Sequence, residues 1–141
     1  MMRNGPPASY AYFGLHGDFN PFEFARRIAL QPHQCIDMHS RNPLRKLPRT
    51  SILDYAQFET AAPIVDIDDL SQKVVTILEP HQEALASAIT NSGATATLQV
   101  VLYFPVSEDV STPILIFSQR VIRFLAAVNA SIDIDSYRWS E

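Results

Sequence analysis

The stretch SYAYFGLHGDFNPFEFARRIALQP, residues 9–32, carries two hydrophobic periods back to back, and the switch between them decides the fold class. From Ser9 to Gly17 aromatic and small apolar residues alternate and end at glycine, the pattern of a strand. From Asn20 the period lengthens. Asn20 is a helix-capping residue, Pro21 suits the first helical position, Glu23 falls at the third, and Phe24 and Ile28 share a face. The helix is expected to stop before Pro32. A strand handed directly to a helix points to a mixed α and β domain.

The rest of the chain repeats this grammar. HQCIDMH (33–39) reads as a short strand with Ile36 and Met38 on one side, and SILDYAQFET (51–60) as a longer one. Over 67–92 Asp66 can cap, Asp68 and Asp69 favour the positive helix end, and Leu70, Val74, Ile77, Leu78, His81, Leu85 and Ala88 form a helical stripe. Pro80 predicts a kink or two abutting helices, and Gly93 ends the run. ATATLQVVLYF (94–104) is the strongest strand. A helix capped by Ser118 and closed near Asn129 follows, then a last strand, SIDIDSYRW.

The order is therefore strand, helix, strand, strand, helix, strand, helix, strand. Its first six elements match the ferredoxin-like plan, extended by one helix and one strand. This predicts an α+β, two-layer domain: a mainly antiparallel sheet with helices on one face. No internal repeat or linker divides residues 9–141, and residues 1–8, MMRNGPPA, are expected to be a disordered N-terminal segment.

Composition agrees with one well-packed domain: 141 residues, 47% apolar and 18% charged, with only four glycines. Net charge is -4, yet RNPLRKLPR (41–49) holds four of the eleven Lys and Arg residues. Its prolines at 43 and 48 suit an exposed hairpin tip. Elsewhere seven bases face fifteen acids, a balance poorly suited to wrapping duplex DNA. Cys35 is the sole cysteine, which excludes an intramolecular disulfide and fits a reducing compartment. Neither a signal-peptide apolar stretch nor a membrane-length run occurs, so a soluble, cytoplasmic protein is expected, with no membrane partner.

Strand parity then assigns the side chains to two faces. With Ala11, Phe13, Leu15, Ala56, Phe58, Leu98, Val100, Leu102, Ile132 and Ile134 toward the helices, Tyr10, Tyr12, Tyr55, Tyr103 and Tyr137 all fall on the opposite side. Trp139, His16, Gln57, Glu59, Gln99, Asp133 and Asp135 share that parity. Large rings with polar tips recur where proteins meet other molecules. The leading expectation is a non-enzymatic domain that meets a protein partner or a second copy through Tyr12, Tyr103, Tyr137, Asp133 and Asp135. The plainer alternative is aromatic residues capping a half-exposed sheet.

The same residues admit other chemistries. The aromatic face suggests RNA-recognition motifs, but the basic and glycine residues of that signature are absent from TLQVVLYFPV, and Glu59, Asp133 and Asp135 would repel phosphates. Arg41, Arg45, Lys46 and Arg49 form the competing candidate, a site for a small anion or nucleotide with an enzyme behind it. Asp133 and Asp135 project from one strand face but lack further oxygen ligands at metal-binding spacing, so no metal is assigned. Cys35 lies between His33 and His39 without a glycine-rich oxyanion turn, and His81 sits on an apolar stripe. No catalytic residue and no cofactor is assigned.

YAYFGLHGDFNPFEFARRIALQP, the long helix with LEP, and the closing FLAAVNASIDIDSY together resemble the bacterial family called domain of unknown function 4279. Phe13, Gly14, Asp18 and Pro21 match its aromatic-glycine strand and acid-proline helix start, and Ile132, Asp133, Ile134, Asp135 and Tyr137 match its closing strand. The middle departs: the basic proline loop and then Leu53 or Tyr55 stand where relatives tend to carry a glycine-containing loop and a tryptophan. The resemblance implies the fold and a bacterial origin but no activity. By analogy, small acidic bacterial domains without catalytic residues include toxin-neutralising immunity proteins.

Overall fold

The computed structural model describes residues 7–39, 50–60, 66–105 and 115–139, with Pro105 and Trp139 described by backbone alone. The elements are β1 (Ser9–Gly17), α1 (Pro21–Ile28), β2 (Gln34–Ile36), β3 (Ser51–Thr60), α2 (Ile67–Leu78), a 3-10 turn (Glu79–His81), α3 (Gln82–Ser92), β4 (Thr95–Pro105), α4 (Gln119–Ala127) and β5 (Ala130–Trp139). The predicted order holds, and so does most of the punctuation. Asn20 Oδ1 accepts from the Phe22 and Glu23 amides at 3.1 Å, Asp66 Oδ1 from the Asp69 amide at 3.0 Å, and Ser118 Oγ from the Val121 amide at 3.5 Å. Pro80 sits in the 3-10 turn that separates α2 from α3.

The strands lie side by side in the order β2-β3-β1-β4-β5. β3 runs antiparallel to both β1 and β2, and β4 antiparallel to β1. β1 and β2 are thus parallel strands with β3 inserted between them, the split strand-helix-strand arrangement. The crossover through α4 brings β5 in parallel to β4, so the sheet is mixed at that edge. Ala11, Phe13, Leu15, Leu98, Val100 and Leu102 turn their side chains to the helical layer, where Phe24, Leu70, Val74, Leu78, Leu85 and Phe124 close the core. Phe13 meets Phe124 edge to face at 6.3 Å. Asp68 Oδ1 accepts from the Ser118 amide at 2.8 Å, tying the start of α4 to α2.

Three expectations need correction. β2 spans only Gln34–Ile36, since beyond it Met38 donates its amide to Ser51 Oγ rather than to a ladder partner. Ile132, expected under the helices, is 37% exposed because β5 is the outermost strand. The third concerns Tyr55, which was assigned to the open face and is fully buried among core residues instead. A β-bulge causes this: Ala11 pairs with Phe58 and Phe13 with Tyr55, so Ala56 and Gln57 together oppose Tyr12. Ala56 takes φ 57°, and the strand's parity inverts there, placing Leu53 and Tyr55 as well as Phe58 against the helical layer.

Candidate interaction face

The sheet surface turned away from the helices is built by register. On β1 it presents Tyr10, Tyr12 and Gly14; β4 adds Gln99, Val101 and Tyr103; β5 adds Asp133, Asp135 and Tyr137 directly opposite those three. Past the bulge, β3 contributes Gln57 and Glu59, and before it Asp54, opposite Gly14 and Gln34. The five residues proposed from sequence are brought onto one face. Trp139's side chain lies outside the described residues, and so does the whole basic stretch with Arg41, Arg45, Lys46 and Arg49.

The rings organise as two stacked pairs. Tyr103 and Tyr137 stack at 5.3 Å between centroids, and Tyr10 and Tyr12 at 6.1 Å. Ser9, itself buried, fixes the first pair from below: its Oγ accepts the Tyr103 amide at 2.9 Å. Gln99 Nε2 donates to Asp135 Oδ2 at 3.1 Å and to the Asp133 carbonyl at 3.3 Å, so the amide pins the acidic edge to the central strands. Burial pushes the Tyr10 phenol up, with Tyr103, Tyr137 and Asp135 adding to the shift. The Tyr12 phenol is raised mainly by burial and then by Asp54.

Asp54 approaches Tyr12 over Gly14 and is only 5% exposed. Among the described residues no side chain or backbone donor reaches its carboxylate, and desolvation raises it to about 6. Glycine at position 14 makes room for it. A Cβ there would stand 3.0 Å from Asp54 Oδ1 and 3.2 Å from Tyr12 Cε2, tighter than side chains tolerate. His33 meets the Tyr12 ring edge to face at 5.7 Å, donates its backbone amide to the Asp54 carbonyl at 2.9 Å, and is held below the usual imidazole range by burial. An open cleft of about 560 Å³ runs over Tyr10, Tyr12, His33, Asp54, Glu59 and Tyr103. A second of about 280 Å³ continues past Tyr12 over Gly14, Asp54, Gln99 and Asp133.

The described lysines and arginines all lie off the open face. The described cations are Arg26 and Arg27 on α1, Lys73 on α2, Arg120 and Arg123 on α4, and Arg138 on β5, which alternates away from Tyr137. None belongs to the open face, whose ionisable groups are acids, tyrosines and histidines.

The remaining candidates find structural partners. Cys35 packs half-buried against the core with its thiol pushed up by burial and Asp37, the wrong direction for a thiolate nucleophile. His39 Nε2 lies 2.8 Å from Asp18 Oδ1 on the surface, and this contact raises its imidazole. His81 Nδ1 lies 3.0 Å from the Ile28 carbonyl, joining the α2–α3 turn to the end of α1. Among the described residues no three His, Cys, Asp or Glu side chains converge as a metal site, and no helix is long and apolar enough to cross a membrane.

Asp54 is not singled out by the sequence, and Gly14 and His33 stand out there only for the resemblance and for their place beside Cys35. A signal was present: Leu53, Tyr55 and Phe58 are spaced by two and then three, which marks an extra residue in an alternating strand.

Fold and face together define an α+β domain with one aromatic, acidic sheet surface left open by the described helices. The chain belongs to the family described as Domain of unknown function (DUF4279), whose model matches residues 7–139. No curated protein and no solved structure matches it.

Proposed function

We propose that this chain is a non-catalytic binding domain that takes a basic protein partner on its open sheet face, in a cytoplasmic setting that keeps Cys35 reduced. The observation that carries this reading is the pairing of four stacked tyrosines with acids on a face that holds no described lysine or arginine. Tyrosine offers large contact area at small entropic cost, and such residues dominate interface energetics. The acids choose the partner's sign. A second copy would set Asp133, Asp135 and Glu59 against like charges, which favours a heterologous partner of opposite potential.

The test is a differential capture from lysate of the source organism. Wild type and a Tyr103→Ala/Tyr137→Ala variant of unchanged circular dichroism serve as baits, with quantitative mass spectrometry and sedimentation of each bait alone. One or more basic proteins should be retained by wild type and reduced at least about tenfold on the variant. Equal recovery on both baits, or retention of the chain's own copies alone, would refute the reading.

A further inference from the structure

We propose that Asp54 and the Tyr12 ring beside it form a subsite for one planar organic cation, the guanidinium group of an arginine side chain. For the source of that cation the inference rests on the binding role proposed above; the chemistry of the subsite stands on its own geometry.

Asp54 is 5% exposed, no described donor reaches it, and its small exposed area opens on the clefts, so its hydrogen bonds are left to water or to a ligand that enters there. Asp54 opens into both clefts, one on each side of Tyr12. Glycine at position 14 lets the Asp54 carboxylate and the Tyr12 ring close on the same spot, 3.0 and 3.2 Å from where a Cβ would stand, so that one ligand can reach both. A flat cation lying in these clefts beside Tyr12 would meet the carboxylate with its N–H fork and the phenol ring with its face, the two contacts that guanidinium makes best. A compact ammonium would make only the first well.

The surroundings select for positive charge. Glu59 borders the larger cleft and Asp133 the smaller. Facing Asp54 from the other elements are the Tyr10, Tyr12 and Tyr103 phenols, His33 with its imidazole pushed down by burial, and His16 along β1. An anion would find no described lysine or arginine here, only acids and neutral donors. A metal ion would find one buried carboxylate, too few oxygens for a hard cation.

Ethylguanidinium is the probe, followed by 1H–15N shifts of the full chain at pH 7.5. Saturable shifts centred on Tyr12, Gly14, Gln34 and Asp54 are expected, with Kd on the order of 1–10 mM for a probe of six heavy atoms. Butylammonium should bind more weakly, and ethylurea, neutral and flat, not detectably. Affinity should fall about tenfold between pH 7.5 and pH 5 as Asp54 takes up a proton, and at least tenfold in Asp54→Asn. The Asp54 carboxyl carbon, read in unmutated protein, should titrate lower with the probe present, a readout independent of how the variant folds. No saturable shift at these residues, equal binding of ethylurea, or an unmoved Asp54 titration would overturn the subsite; butylammonium binding as tightly would overturn the guanidinium assignment. Partner capture unaffected by Asp54→Asn with no probe binding would remove the subsite and leave the interaction face standing. Probe binding without any captured partner would do the reverse.

Discussion

Asp54 couples the proton to the fold. A carboxyl near 3.9 in the unfolded chain and about 6 when folded binds a proton in the native state that the unfolded state has already released. Between those values the unfolded state binds fewer protons, so this group lowers stability as pH rises through the window, and its effect is flat above about 6. The full shift would correspond to about 3 kcal/mol; the open clefts beside the carboxylate reduce this to on the order of 2 kcal/mol. Asp54→Asn removes the titration while keeping the shape. Urea unfolding of both proteins at several pH values should show the variant gaining on wild type by on the order of 2 kcal/mol from pH 4 to pH 7.5, other carboxylates cancelling in the difference. A difference that does not change with pH would mean that Asp54 is solvated in the folded protein.

Two elements turn on alanines held at positive φ. Ala29 closes α1 at φ 59° with its amide donated to the Ala25 carbonyl at 3.0 Å, and Ala56 makes the bulge of β3 at φ 57°. A left-handed conformation costs a residue bearing Cβ about 1 kcal/mol, which glycine escapes. Ala29→Gly, at an exposed site, should therefore raise stability by about 0.5–1 kcal/mol, seen as a melting point higher by a few degrees. Ala56→Gly should be close to neutral, its relief offset by lost packing and a more flexible unfolded chain. Ala56→Val should cost about 2 kcal/mol or more, because a β-branched residue resists that conformation. A valine variant as stable as wild type would show that the bulge is not held where β3 places it. These two alanines also mark the limit of sequence reading at this scale. Asn20, Asp66, Pro80, Gly93 and Ser118 act on their own turn of chain, so each terminus was legible locally. The bulge depends on which residue of β1 faces Ala56, a fact of the partner strand, and Tyr55 was misassigned with it.

At the scale of the molecule the same distinction explains the face. Alternation is unbroken through the segments of β1, β4 and β5 that carry Tyr12, Tyr103, Asp133, Asp135 and Tyr137, so parity alone placed them together. Asp54 shares the face only because β3 changes parity after it, which hid the acid at the centre of the clefts. The strand order also distributes stability. β1 and β4 are paired on both sides and send Ala11, Phe13, Leu15, Leu98 and Val100 into the core, whereas β5 pairs with β4 alone and leaves Ile132 37% and Tyr137 51% exposed. In a parallel edge strand only alternate amides turn to the neighbour, and the rest face outward to water. Native-state hydrogen exchange should therefore show the inner amides of β1 and β4 opening only with global unfolding, while β5 and the end of α4 open locally at a lower free energy. The consequence for binding is direct: Asp133, Asp135 and Tyr137 ride on the strand that opens first, so a partner on this face should slow exchange in β5 more than in β1. Equal protection of β5 and β1 in the free chain would contradict this ordering and leave the acidic edge as rigid as the core beneath it.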